Sequence, residues 1–133
     1  GALSITGLGP GEYFKGGNGM TLALAMIETR EALAIIDDIL ALPGIDGVFI
    51  GPADLSIGLS QGRELDPVSA AVEEALGHTV TRTRAAGKIA GIYAASGERA
   101  AEHTRQGFQL VSIASDTTLL RNGAQMALKA ARG

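Results

Sequence analysis

Two acidic residues that follow apolar runs are the strongest candidates for chemistry in this sequence. Glu28 comes directly after the run "LALAMI", and Asp54 follows the run "GVFI" beyond a Gly-Pro turn. Each run is typical of a buried strand, so both acids fall at the carboxyl end of a strand, where parallel α/β folds collect functional groups. Neighbouring strands lie about 4.8 Å apart, which allows the two acids to converge. Two carboxylates plus waters suit a hard cation such as Mg²⁺ or Mn²⁺ that keeps positions open for a substrate.

The residues around the second acid also suit an anionic ligand. Gly51 lets the backbone come close to a ligand, and the amides of Ala53 and Asp54 can receive an anionic oxygen, as at a helix N-terminus. The stretch "ADLSIGLS" predicts one short helical turn here. Purely structural alternatives stay open: Glu28 could cap the next helix or pair with Arg30, and Asp54 could be the N-cap of the turn "LSIG".

Four apolar runs, each followed by a stretch of helical period, predict the elements that position these acids. The runs do not alternate with polar residues, which indicates strands covered on both faces, as in parallel sheets with crossover helices. The order βαβαβαβα is therefore α/β, and the predicted strands cover residues 22–27, 47–50, 88–94 and 109–114.

The helix boundaries follow from capping residues. The first helix is expected after Thr29 and before Pro43-Gly44, with Ala32, Ile35, Ile36 and Ile39 on its apolar face. The later helices are expected to begin at Asp66-Pro67, Ser96 and Asp116, and Gly87 and Gly107 are expected to end the two before the last.

The other polar residues carry weaker functional signals. Ser96 and Asp116 are better explained as helix caps than as catalytic groups. His78 and His103 lie within helical stretches, and each is predicted to lie on a solvated helix face. Residues 1–20 form a glycine-rich lead-in segment whose Gly-x-Gly precedes no convincing helix, so no phosphate loop is expected, and residues 21–133 form the α/β unit.

Composition excludes several classes of function. The chain has 133 residues, enough for one domain with a real core, a net charge of −3 and no cysteine. It has no basic patch for nucleic acid, no apolar run near the roughly 20 residues of a membrane span, and no signal of secretion at its start. A cytoplasmic protein without nucleic-acid or membrane partners is expected.

The motifs resemble the HpcH/HpaI aldolase/citrate lyase family. The similarity lies in "MIETREAL", "GIDGVFIGPADLS", "GKIAGIYA" and "SDTTLL", and it runs from about residue 20 to the C-terminus. The nearest branch is the metal-dependent class II pyruvate aldolases of the 4-hydroxy-2-oxoheptanedioate aldolase type. This resemblance implies the C-terminal half of a TIM-type (β/α)₈ barrel, with four βα units and parallel strands.

The resemblance also implies roles for particular residues. Glu28 and Asp54 would bind a divalent cation, Mg²⁺, Mn²⁺ or Co²⁺, and the backbone around Gly51, Ala53 and Asp54 would bind the carboxylate of pyruvate. The metal would stabilise an enolate that attacks an aldehyde, and retro-aldol cleavage is the reverse reaction. Many members have Gln two residues before the metal-binding Glu, in contact with the substrate, and here that position is Met26.

Other implications concern what this chain lacks. Family members are about twice this length, and their N-terminal half supplies a histidine base and an arginine, so the catalytic residues are not assigned within this chain. Four βα units would leave open sheet edges and an uncovered inner face of Ala, Val and Ile, which predicts a homo-oligomer or association with another half-barrel. The family's last helix, here Thr117 to Arg132, packs on a neighbouring subunit. Alternative interpretations are a non-catalytic half-barrel that binds metal and a 2-oxo acid, and a citrate-lyase-like enzyme acting on acyl-CoA.

Overall fold

A computed structural model describes residues 5–133, so the first four residues of the predicted lead-in segment lie outside the described residues. Its centre is a sheet of four parallel strands in the order β1-β2-β3-β4. The strands are β1 (Leu24–Ile27), β2 (Gly47–Ile50), β3 (Ile89–Ala94) and β4 (Leu110–Ile113). The predicted α/β architecture is therefore confirmed.

Helices connect the strands and cover one face of the sheet. On that face Ile27, Ile50 and Ile92 lie side by side in the strand register and are fully buried. The helices are α1 (Pro10–Gly16), α2 (Arg30–Ala34), α3 (Ile36–Ala41), α4 (Pro52–Ser60), α5 (Ala70–Ala85), α6 (Gly97–Gln106) and α7 (Asp116–Arg132), and Gly17–Met20 form one 3₁₀ turn.

The opposite face of the sheet differs from the expected surface of Ala, Val and Ile. Strand residues alternate between the two faces, and the register places Met26 beside Phe49 and Phe49 beside Gly91. A Cβ at Gly91 would lie 2.7 Å from Cδ2 of Phe49, so the phenyl ring covers the glycine. Met26 and Tyr93 are partly exposed on this face and Ile89 shares it, whereas Val48, Ala90 and Ile92 lie on the face that the helices cover.

The predicted first helix is two helices. Ile35, with φ −109° and ψ 22°, leaves helical geometry between α2 and α3. The break separates two consecutive isoleucines that were expected on one face: Ile36 is buried and Ile35 is half exposed. Thr29 caps α2 as predicted, because its Oγ1 accepts a hydrogen bond from the N–H of Ala32 at 3.1 Å.

Two other helix starts differ from the prediction. The lead-in segment contains α1, which begins at Pro10 after the Gly9 N-cap, where no helix was expected. The helix expected at Asp66-Pro67 begins at Ala70 with Ser69 as N-cap, because Asp66 Oδ1 accepts from the N–H of Val68 in a local turn.

The last helix begins as predicted to within one residue. Ser115, not Asp116, is the N-cap of α7, and its Oγ accepts from the N–H of Thr118 at 3.2 Å. Gly87 and Gly107 end α5 and α6 in positive φ, as expected. Between residues 5 and 133, none of the helices has the length and hydropathy that a membrane span requires.

Candidate metal and substrate site

The two acids predicted to act together meet over one glycine. Ile27 pairs with Ile50 in the register of β1 and β2, so Glu28 and Gly51 follow at the same edge of the sheet. A Cβ at Gly51 would lie 2.8 Å from Oε1 of Glu28 and 3.2 Å from Oδ2 of Asp54. The two carboxylate oxygens are therefore at most 6.0 Å apart, because they lie 2.8 and 3.2 Å from the same point. Oxygens on opposite sides of one hard cation lie about 4–5 Å apart, at bond lengths of about 2.0–2.6 Å.

Helix α4 brings Asp54 to this position. The predicted single turn is a helix of nine residues that begins at Pro52, directly after Gly51. Proline suits the first helical position because its φ is already helical and it has no N–H to leave unpaired. Leu55 donates its N–H to the carbonyl of Gly51 at 2.9 Å and is fully buried. Asp54 therefore lies in the first helical turn.

Gly58, which is not among the predicted site residues, fixes α4 against Glu28. A Cβ at Gly58 would lie 2.7 Å from the carbonyl oxygen of Glu28 and 3.2 Å from Cα of Thr29. The helix can therefore approach the end of β1 only because this residue has no side chain. Arg30 strengthens the contact by donating from Nη2 to the carbonyl of Leu59 at 2.9 Å. An isolated glycine inside a helical stretch was the available signal.

The structural alternatives for the two acids are not realised. Thr29 caps the helix that Glu28 could have capped, and Arg30 contacts the backbone of α4. Gly51, not Asp54, is the N-cap of α4. Within residues 5–133, the side chains of Glu28 and Asp54 have no hydrogen-bond or ion-pair partner. Two close carboxylates without cationic neighbours repel each other, and a bound cation removes that repulsion.

The start of α4 also presents two free amides. Leu55 has the first N–H of the helix that bonds to the backbone, to Gly51, and Pro52 has no N–H. The N–H groups of Ala53 and Asp54 therefore remain without partners among the described residues. Free amides at a helix N-terminus attract anionic oxygen atoms, and these two lie beside the acid pair.

The remaining residues considered in the sequence differ in their exposure to solvent. Met26 is half exposed, two residues before Glu28 and on the same face of the sheet. His78 is exposed, as predicted. His103 was predicted to lie on a solvated face, and this is wrong: it is 1% exposed. Ala100, three residues earlier, is also buried and marked the same helix face in the sequence. Ser96 is the cap of α6, as predicted.

His103 belongs to a polar network that joins α5 and α6. Arg99 forms ion pairs with Glu73 at 2.6 Å and with Glu102 at 2.5 Å. Gln106 Nε2 contacts Glu73 Oε2 at 3.0 Å, and its Oε1 lies 2.9 Å from Nδ1 of His103. Desolvation alone would raise the pKa of Glu73, but the hydrogen bonds from Arg99 and Gln106 outweigh it and hold the pKa below its ordinary value.

Together, these features define half of a (β/α)₈ barrel with an acidic pair at the carboxyl edge of its strands. The family model of HpcH/HpaI aldolase/citrate lyase matches residues 8–123. The chain therefore belongs to the HpcH/HpaI aldolase/citrate lyase family, and the predicted resemblance is confirmed.

Named relatives and a solved structure agree with this assignment. A protein named hydroxypyruvate/pyruvate aldolase from Rhizorhabdus wittichii is 46% identical over 111 residues, which cover 84% of this chain and 44% of that protein. A 4-hydroxy-2-oxo-heptane-1,7-dioate aldolase from Salmonella arizonae is 42% identical over 114 residues, covering 86% of this chain and 43% of that protein.

The crystal structure of a family member from Burkholderia cenocepacia superposes with a TM-score of 0.80 at 27% identity, covering 92% of this chain and 47% of its own. The chain thus spans just under half the length of these relatives. The half-barrel fold predicted from the sequence is confirmed.

Proposed function

We propose that this chain carries the metal- and pyruvate-binding part of a divalent-metal-dependent pyruvate aldolase. Such a carbon-carbon lyase forms or cleaves 4-hydroxy-2-oxo acids from pyruvate and an aldehyde. The observation that carries the proposal is the convergence of Glu28 and Asp54 over Gly51. The names of the relatives from Rhizorhabdus wittichii and Salmonella arizonae support the class of reaction.

A hard divalent cation fits the donor set. Two unpartnered carboxylate oxygens would lie 2.8 and 3.2 Å from a Cβ at Gly51, and the glycine leaves the space beside them free for an ion. No group of three or more His, Cys, Asp or Glu side chains suited to a metal occurs within residues 5–133, so protein ligands would fill only part of the coordination shell. Mg²⁺ and Mn²⁺ accept such sites, because they take one or two carboxylates together with water and substrate oxygens. A bound cation would supply Lewis-acid polarisation of the pyruvate ketone.

The chain's own groups would orient pyruvate beside the acids. The free amides of Ala53 and Asp54 suit its carboxylate, because both oxygens of a carboxylate accept hydrogen bonds. Gly51 allows the substrate to approach the backbone. Met26 lines the same face without a hydrogen-bond donor, so it would contribute apolar contact where a glutamine would donate.

The test of this proposal is Mn²⁺ binding by titration calorimetry. Asp54→Asn removes one charged ligand and should weaken Mn²⁺ binding at least tenfold, about 1.4 kcal/mol. Glu28→Gln should have an effect of the same direction and similar size. Glu31→Gln is the matched control, because Glu31 is an exposed acid three residues from Glu28. Equal Mn²⁺ affinities of the chain and its Asp54→Asn variant would contradict the proposed site.

Proton exchange at the pyruvate methyl group tests the reaction itself. The family resemblance places the histidine base and the arginine in the other half of the barrel, and a positioned base contributes about 10²–10⁴-fold. The chain alone should therefore exchange the methyl protons slowly in D₂O with Mn²⁺, as measured by NMR. Adding a polypeptide with the other half of the barrel should accelerate the exchange, and Glu28→Gln should abolish it. Rapid exchange by this chain alone would show a base within it.

We also propose that the open face of the sheet is covered in the working protein, by a second copy or by another half-barrel. The described part of the chain leaves β1 and β4 as edge strands, and exposed edges favour association. α7 has no buried residue and exposes Leu119, Leu120 and Met126. Light scattering should give a mass above the 13.5 kDa of one chain, and a stable monomer at high concentration would refute the proposal.

A further inference from the structure

A small cavity lies beside the start of α4, at the carboxyl ends of β2 and β3. Its volume is about 120 Å³. Apolar groups form most of its wall, and two polar side chains from α6 complete it; the lining includes Pro52, Pro67, Val68, Tyr93, Arg99 and His103. Neither Glu28 nor Asp54 lines this cavity, whereas Ala53, whose backbone amide is proposed to bind the pyruvate carboxylate, does.

The arginine in this wall does not favour an anionic ligand. Arg99 is held by the carboxylates of Glu73 and Glu102, so its charge is already balanced within the network. An anion in the cavity would meet these two carboxylates as well as the arginine. The cavity therefore suits an uncharged ligand.

The histidine in the wall has a defined tautomer. The amide nitrogen of Gln106 donates to the carboxylate of Glu73, so Oε1 of Gln106 is the atom that faces His103. An amide oxygen only accepts hydrogen bonds, and it lies 2.9 Å from Nδ1 of His103. The neutral imidazole therefore carries its proton on Nδ1, and Nε2 has a free lone pair.

That lone pair has no partner in the protein. His103 is 1% exposed, and the structure gives its Nε2 no hydrogen bond within residues 5–133. A buried acceptor without a partner costs free energy. Nε2 is not among the side-chain atoms fully enclosed without a partner, so it touches accessible space, and the ring lines the cavity.

We propose that this cavity is a binding site for a small, uncharged aliphatic molecule that carries a hydroxyl group. The hydroxyl donates to Nε2 of His103, and the aliphatic part contacts Pro67, Val68 and Tyr93. Cavities of about 150 Å³ accept a ligand of six carbon atoms, so a space of about 120 Å³ suits about five non-hydrogen atoms.

Two isomeric probes test the hydrogen bond directly. 1-Butanol and methyl propyl ether have the same atoms, but only the alcohol can donate. Each is titrated into the metal-free chain, and binding is followed through the imidazole ¹⁵N shifts of His103 and the backbone amide of Ala53. We expect saturable binding of butanol, at least threefold tighter than the ether, with the Nε2 signal moving on binding. The titration uses neither metal nor pyruvate and is read at His103, so a failure of this proposal is distinguishable from a failure of the proposed function.

Variants of the two histidines provide the matched comparison. His103→Asn keeps a donor near the position of Nδ1 for Gln106 but has no atom in place of Nε2, so it should bind the alcohol no better than the ether. His78→Asn changes an exposed histidine and should leave the preference intact. Equal affinities of the unmodified chain for the two probes would overturn the proposal, and so would ¹⁵N shifts that place the proton on Nε2. These two measurements need no variant to fold.

Discussion

Two groups of acids in this molecule have opposite surroundings. On the α5–α6 side, Glu73 and Glu102 are bound by Arg99, and Gln106 donates a further hydrogen bond to Glu73. At the carboxyl edge of the sheet, Glu28 and Asp54 approach each other, and residues 5–133 offer them no such partner.

This difference in hydrogen-bond partners distinguishes Glu73 and Glu102, which stabilise the fold, from Glu28 and Asp54, which are available to bind a ligand. A paired carboxylate contributes to stability because it gains hydrogen bonds on folding. Two unpaired carboxylates held close cost stability, and proteins retain such arrangements where function uses them. The glycines Gly51 and Gly58 serve the second group, since each makes room for an atom of Glu28 or Asp54.

The largest effect is expected from Gly58→Ala. Alanine in place of glycine inside a helix normally stabilises by about 1 kcal/mol. At Gly58 the new Cβ would lie 2.7 Å from the carbonyl oxygen of Glu28, and backbone cannot yield as a flexible side chain can. We expect a loss of about 1–3 kcal/mol in the free energy of unfolding, measured by urea denaturation, together with weaker Mn²⁺ binding.

Gly77→Ala is the control for that experiment. Gly77 lies inside α5, and a Cβ there meets no atom within 4 Å, so this variant should be more stable than the unmodified chain. If Gly58→Ala also stabilised the protein, the close approach of α4 to the end of β1 would not be present in solution.

Gly51→Ala tests the meeting point of the acids. The backbone of Gly51, with φ −97° and ψ 99°, is accessible to alanine, so stability should change little. The Cβ would fill the space between Oε1 of Glu28 and Oδ2 of Asp54 and push the carboxylates apart. We expect Mn²⁺ affinity to fall about tenfold, about 1.4 kcal/mol, in calorimetry. Gly97→Ala, at an open position, should retain full affinity; unchanged affinity in Gly51→Ala would remove Gly51 from the site.

Glu73→Gln addresses the paired acids. The pKa of Glu73 is lowered from its ordinary value of 4.5 in the folded chain. The stabilisation of the folded chain by the Glu73 carboxylate is therefore fully present above about pH 4.5. It is lost as the pH falls through the lowered pKa that Glu73 has in the folded chain. The variant should lose about 1 kcal/mol at pH 7 and show a flatter decline of stability in acid. Urea denaturation at pH 7 and at pH 3 measures the loss of stability and its pH dependence. Glu74→Gln, which changes an exposed neighbouring acid, should alter neither the stability at pH 7 nor its decline in acid.

The strand-end position of both acids followed from the sequence. Near-continuous apolar runs before Glu28 and Asp54 mark buried parallel strands, and adjacent parallel strands end at one edge. The capping roles of Thr29 and Ser96 were also readable, because a hydroxyl before a helical stretch has a local function. These features depend on residues close together in the chain.

Long-range packing explains what the sequence did not show. The role of Gly58 depends on contact with Glu28, 30 residues earlier in the chain. The burial of His103 depends on α5, whose Glu73 completes the network. No local pattern specifies such contacts.

Without metal, the smallest effect on stability is expected from Glu28→Gln, and the sign of the effect should change when Mn²⁺ is added. Without metal, two carboxylate charges about 4–6 Å apart in a high-dielectric environment repel by about 1 kcal/mol or less. Removing one charge should therefore raise the free energy of unfolding by a few tenths of a kcal/mol, and salt should reduce the gain. With Mn²⁺ at about 100 times its dissociation constant, the unmodified chain gains about 2.7 kcal/mol from binding, and a variant that binds tenfold more weakly gains about 1.4 kcal/mol. The order of the two melting temperatures should then reverse on adding Mn²⁺, whereas Glu31→Gln should follow the unmodified chain under both conditions. If Glu28→Gln were destabilised by about 1 kcal/mol without metal, as expected for Glu73→Gln, Glu28 would belong with the acids that hold the fold together.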